Sequence, residues 1–258
     1  MRSSALSGAT TAFTVPLIAP ATGGLLLILA FLLAGCSADQ SIMLRHDGSG
    51  EADVTIVLDP VFAEYLVDLT ATLGAGEEEL ESVFDLTALR ESFEIEPGLT
   101  LVEVHSPRPE VLNLIVEFDS LATLFAIRSS RLAGAFRFER TETFRRLAVR
   151  VDRRTVENLV NLAGIDPFVA ESLLPPEGNM APGEYRDYLV WALEEYERDR
   201  PVSEVINDSS VQTRVTPSGS ITQVRGGLQV GSSVVFRTPL LEAVTTPVPL
   251  EYSVIFGP

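Results

Sequence analysis

The sequence predicts an α+β fold: an antiparallel β-sheet packed with several α-helices, a single domain after a cleaved signal peptide. Three patterns carry that prediction. Two-residue alternation between turn residues marks both ends of the region after residue 40, apolar residues three and four apart mark its middle, and an unbroken apolar run precedes both. A chain of 258 residues that is 46% apolar can close a large core. Its 19 basic residues, all arginine, stand against 36 acidic ones, for a net charge of -17. That sign excludes nucleic acid as a non-specific partner, because such binding draws its affinity from neutralising phosphates.

Residues 1–35 read as the leader. Met1 to Thr22 is rich in Ser, Thr, Ala and Pro with one charge, Arg2, and Leu25 to Gly35 is the apolar run LLLILAFLLAG. The run is shorter than the about 20 apolar residues of a membrane span and fits the about 7 to 15 of an export signal. It ends in Leu33-Ala34-Gly35-Cys36, which holds the only cysteine. This tetrapeptide resembles the lipobox of bacterial lipoproteins. The resemblance implies transfer of a diacylglyceryl group to the Cys36 thiol, cleavage between Gly35 and Cys36, and acylation of the new amino group. The alternative is a buried free cysteine in an uncleaved signal anchor. A lone exported cysteine lacks a disulfide partner in its chain, which favours modification. Two or three acyl chains anchor stably, since each buried methylene contributes about 0.8 kcal/mol and one chain is marginal.

The predicted location is therefore a membrane's extracytoplasmic face, held by lipid. With Ser37 rather than Asp after the cysteine, the expected site is the outer membrane of a diderm cell, and otherwise the outer face of the plasma membrane. Residues 36–40, CSADQ, read as the lipidated cysteine and a short tether, with no cofactor beyond the acyl groups on Cys36.

Residues 41–258 read as the α+β domain. Ser41 to Pro60 is a hairpin: SIMLR, a turn containing Asp47-Gly48, then a strand in which Ala52, Val54, Ile56 and Leu58 alternate with polar residues. Asp47, Ser49 and Glu51 also offer oxygens to calcium or magnesium, but one turn supplies fewer than the six or more that calcium prefers. Asp59 and Pro60 open a helix carrying Phe62, Tyr65, Leu66, Leu69 and Leu73 on one face, stopped by Gly74 and Gly76. Glu77 to Glu79 open a second helix with Leu80, Val83, Phe84 and Leu89 inward. Strands follow at Leu99 to His105 and Val111 to Asp119, and a short helix at LATLFAIRSS. The stretch LDPVFAEYL at 58–66 is echoed by IDPFVAESL at 165–173, which reads as a shared helix start rather than a duplication.

Residues 128–154 are arginine-rich strands. Phe136 and Phe138 fall on one face and Leu147, Val149 and Val151 on another, while Arg128, Arg131, Arg137, Arg140, Arg145, Arg146, Arg150, Arg153 and Arg154 meet only Glu139, Glu142 and Asp152. Arg137, Arg145, Arg146 and Arg150 are the candidate contacts for an anionic ligand, since a planar guanidinium fork suits phosphate and carboxylate groups. The competing reading is cross-strand ion pairing worth roughly 0.2 to 1 kcal/mol each. Helical stretches run from Asp152 to Leu174, and a helix over EYRDYLVWALEEYERD places Tyr185, Tyr188, Leu189 and Ala192 on one face with Trp191 beside it. Such a stripe is core; an outward Trp191 would instead contact the membrane interface or a partner.

Residues 209–258 are strand-rich. The order of TPSGSI, VRGGLQVGSSVVF and a closing strand, with the early hairpin SIMLRHDGSGEADVTIVLDP, resembles the LppM-like domain of bacterial lipoproteins. The chain departs from it in having PSG where a contiguous Pro-Gly is usual, and in its large helical middle. The resemblance implies an envelope-attached α+β domain and carries no motif-defined catalytic residues.

No enzyme is expected. His46 and His105 sit in no metal-ligand or nucleophile motif, Glu194-Glu195 lies on a helix end, and neither catalytic nor metal-binding residues are assigned. The functional expectation is a membrane-anchored lipoprotein with a non-catalytic binding or interaction domain, taking an envelope protein, lipid or glycan as partner. Its alternatives are a structural assembly partner and a lipid carrier with an apolar cavity.

Overall fold

A computed structural model describes residues 36–72, 84, 86–94, 97–121, 123, 135–156, 174–175 and 180–258. The leader, the 77–83 part of the helix predicted to run from Glu77 through Leu89, most of LATLFAIRSS, and 157–173 with most of the helical stretches predicted there lie outside the described residues.

Alternation drives the strands. The larger sheet has seven: β1 (Cys36–Leu44), β2 (Gly50–Leu58), β3 (Leu99–Arg108), β4 (Val111–Phe118), β7 (Ser210–Pro217), β9 (Gly227–Val230) and β10 (Ser233–Pro239). Their order is β3-β4-β2-β1-β7-β10-β9. The smaller sheet orders β5 (Phe136–Arg140), β6 (Arg145–Val151), β11 (Leu250–Phe256) and β8 (Ile221–Arg225) as β5-β6-β11-β8. Two sheets thus replace the single antiparallel sheet expected, and β1 and β7 pair in parallel. Phe136 lies opposite Val149 and Phe138 opposite Leu147, so the two apolar sets of the arginine segment share one inward face.

The first strand begins at Cys36 rather than Ser41. Residues 36–40 are hydrogen-bonded to β2 on one side and 37–40 to β7 on the other, which corrects the reading of CSADQ as a tether. Ala38, Ile42 and Leu44 are buried while Ser37, Asp39 and Met43 are exposed, so the alternation starts two residues after the cysteine.

Helices close one end of the sandwich. They are α1 (Pro60–Thr72), α3 (Pro182–Leu193), α4 (Val202–Asp208) and α5 (Leu240–Thr245), while α2 (Leu86–Glu94) packs beside β3 and adds Leu89 and Phe93 to the core between the sheets. Asp59 accepts the Val61 N–H at 3.2 Å and so starts α1 as the sequence predicts. α3 ends at Leu193 and passes into a single 3-10 turn, Glu194–Tyr196. α4 and α5 were not legible in the sequence, being too short for a period to show. α1 follows the last residue of β2, α4 leads into β7, and α5 follows β10. The register places these junctions beside Cys36, so that is the helical end. One apolar core lies between the sheets and a second joins α1, α3, α4 and α5, with Leu66, Val151 and Leu250 packed against both.

The sheets join at Gly226, where the chain leaves β8 and enters β9 with φ +72°. A Cβ there would stand 2.6 Å from the Glu251 carbonyl oxygen. Gly226→Val is therefore expected to cost at least about 2 kcal/mol through left-handed backbone and this clash. A lower urea midpoint at an unchanged slope would show it.

Candidate functional site

The four predicted arginines do not form one site. Arg137, Arg146 and Arg150 share the outward face of the smaller sheet with Arg225, whereas Arg145 belongs to the inward set. On the outward face carboxylates answer them: Arg137 meets Glu139 at 2.8 Å, Arg150 meets Asp152 at 3.7 Å and Arg225 meets Glu251 at 3.2 Å. Arg146 sits opposite Glu139 across the strands. Ion pairs account for Arg137, Arg150 and Arg225, whereas Arg146 Nε is buried without a hydrogen-bond partner. Arg145 is 6% exposed. It donates to the His46 carbonyl at 2.6 Å and the Gly257 carbonyl at 3.4 Å, pinning the β1–β2 turn and the C-terminus to β6.

The other candidates are also locally engaged. Asp47 accepts the Ser49 hydroxyl at 2.7 Å and the Ser49 N–H at 2.9 Å, and these bonds hold its carboxyl below the usual carboxylate range. Its charge locks a turn. His105 places Nδ1 3.1 Å from Glu103 and Nε2 3.2 Å from the Asn113 amide. Among the described residues there is no group of three or more His, Cys, Asp and Glu able to hold a metal ion. Tyr185 and Leu189 are buried as the stripe predicts, but Trp191 is 72% exposed and packs only its flank against Tyr188.

One concave feature with an apolar lining lies between the sheets. An apolar cavity of about 90 Å³ is bounded by β1, β7 and β10 on one side and by β5, β6 and β11 on the other. α5 and the helical turn beginning at Arg153 bound it as well, so its lining extends to the helical end. Val149, Val151, Val211 and Leu240 supply apolar wall, and Tyr252 turns its hydroxyl away to the Arg237 carbonyl at 3.0 Å. Gln40, Thr155, Thr213 and Thr238 interrupt the wall. Thr213 and Gln40 are cross-strand neighbours, and the Thr213 hydroxyl donates to Gln40 Oε1 at 3.5 Å. Gln40 Nε2 is buried with no hydrogen-bond partner. An unmet buried donor costs about 1 to 3 kcal/mol, so an acceptor oxygen brought by a ligand would be favoured there.

Sequence reasoning missed Gln40 because it assigned residues 36–40 to a tether. The available signal was the alternation of Ala38, Gln40, Ile42 and Leu44 with Ser37, Asp39, Ser41 and Met43.

No family model matches the chain, and no curated protein matches it. Among solved structures it is similar to the folded domain of Mycobacterium tuberculosis LppM, determined by NMR. The alignment covers 87% of this chain and 90% of that one, at 10% identity and a TM-score of 0.42. No helix among the described residues is long and apolar enough to cross a membrane.

Proposed function

We propose that this chain is an acyl-anchored lipoprotein of the extracytoplasmic envelope whose domain, without catalysis, takes the apolar part of a lipid-like ligand between its two sheets. The observation that carries the reading is the apolar cavity with the unmet Gln40 amide in its wall. Such a pocket needs an apolar body and one acceptor oxygen, the composition of an acyl ester. About 90 Å³ is smaller than the roughly 150 Å³ void that holds benzene, so it suits the end of a chain rather than its length.

The lipobox supports the location. With acyl groups on the first residue of β1 and no tether, the helical end stands on the bilayer and the β1–β2 turn points away. The cavity lining reaches that same end through α5. Exposed Trp191, on α3 in the helical cap, has the amphipathic ring that favours a membrane interface.

Native mass spectrometry tests the binding reading. The leaderless Cys36→Ser chain, incubated with a short-chain fatty-acid methyl ester, should retain one molecule. Val149→Phe, which puts a ring into the cavity, should retain about tenfold less at an unchanged unfolding midpoint. Equal retention by both, or by neither, removes the reading.

A further inference from the structure

The outward face of the seven-stranded sheet is bare among the described residues: Asp39, Met43, Asp53, Gln212 and Arg237 lie exposed on it. Its strand order makes β1 the central strand. In the cross-strand row through Ser41, one side of β1 carries Arg214, Val235 and Leu228, and the other carries Asp53, Ile115 and Glu103.

Charge follows the same division. The β2-β4-β3 half presents Glu51, Asp53, Glu103 and Glu117, with Arg108 at its end paired to Glu110, whereas the β7-β10-β9 half presents Arg214 and Arg237 and no carboxylate. Glu103 meets His105, and Glu117 meets Arg45. Arg214, Glu51 and Asp53 have no ion-pair partner among the described residues. Apolar side chains complete the face, with Met43 51%, Leu228 68% and Val230 49% exposed. Salt-bridged solvation would leave such a face mixed in sign, as on the smaller sheet; here the carboxylates without an ion-pair partner, Glu51 and Asp53, lie on one side of the central strand and Arg214 on the other.

We propose that this face docks a second copy of the chain, face to face, about a twofold axis running along β1. A rotation about that axis lays the basic half of each copy on the acidic half of the other, which is the self-complementarity an isologous interface requires. At equal height, Arg214 meets Asp53 of the second copy, Val235 meets Ile115 and Met43 meets its own equivalent on the axis, so Arg214–Asp53 is the one direct ion pair in each half, while Arg237 meets Asn113 and Leu228 meets Glu103 of the second copy. Seven strands about 4.8 Å apart and about 26 Å long give roughly 750 Å² per copy, close to the about 800 Å² per partner of a stable interface. The axis runs along the strands, so both helical ends point the same way and both Cys36 residues reach one bilayer. Asp39 meets its own equivalent near the axis, a like-charge contact moderated by Arg237 in the same row.

Crosslinking of the full chain in its own membranes tests this. With a short bismaleimide, Met43→Cys should give a species of twice the chain mass at about fivefold or more the yield of Gln223→Cys, a control on the exposed outer face of the smaller sheet. In the Met43→Cys background, Arg214→Asp alone and Asp53→Arg alone should each lower that yield about tenfold. Coexpressed with different tags, the two charge variants match across both halves of the interface and should recover the yield as a mixed pair. Recovery in trans also shows that each variant folds. Asp39→Asn should raise the yield. Equal yields from Met43→Cys and Gln223→Cys, a crosslinked species of another mass, or no recovery in trans would overturn the proposal.

Discussion

Cys36→Ala is expected to abolish incorporation of alkyne-tagged palmitate and to leave the leader on the chain. The reason is chemical. Cys36 is the only thiol, and under the proposed lipoprotein reading a peptidase would act only after a diacylglyceryl group had been placed on that sulfur. Without acylation the precursor keeps Leu25 to Gly35, an apolar run too short to span, and its mature domain loses the two or three chains that supply stable anchoring. The expected result is complete loss of label, with a precursor larger than the wild-type protein on a gel. A labelled variant of unchanged size would remove the anchor from the account. Because β1 begins at the cysteine, inserting a flexible Gly/Ser segment after Cys36 separates the roles of anchor and strand.

Ala38→Asp carries the second large expectation. Ala38 is 1% exposed and faces the inter-sheet core, opposite Ile56 on β2 and Val211 on β7. A carboxylate there has no cation among its strand neighbours, and an uncompensated buried charge costs roughly 3 to 5 kcal/mol. For a chain of this size the melting temperature should fall on the order of 10 °C. One residue along, Asp39→Ala changes an exposed side chain on the other face and should cost no more than about 1 kcal/mol, chiefly the lost Gln212 hydrogen bond at 3.0 Å. The contrast between neighbours reads the two-residue period directly. Were residues 36–40 a tether, both substitutions would be silent, and that outcome would falsify the strand.

The hairpin of β1 and β2, the start of α1 and the β3–β4 pair were legible because each rests on short-range physics. Asp47-Gly48 sets a turn, Asp59 caps a helix, and alternating side chains choose a face before any partner strand is known. The proposed anchor rests on the tetrapeptide Leu33-Ala34-Gly35-Cys36 and on no feature of the fold. Gln40 and the outward charge division were not legible, because each depends on which strands become neighbours.

What the sequence determined by itself was the α+β class and the alternation that gives most strands an inside and an outside. What the tertiary structure decided was partnership. It paired β1 with β7 in parallel across 173 residues of sequence, as the Asp39–Gln212 contact records, and it made the cysteine-bearing strand central. It turned Arg145 inward while leaving Arg137, Arg146 and Arg150 among carboxylates. A period fixes the direction of a side chain relative to its own strand, whereas long-range register fixes what that side chain meets. Register is selected by burial of both sheets at once, a quantity that no single segment contains.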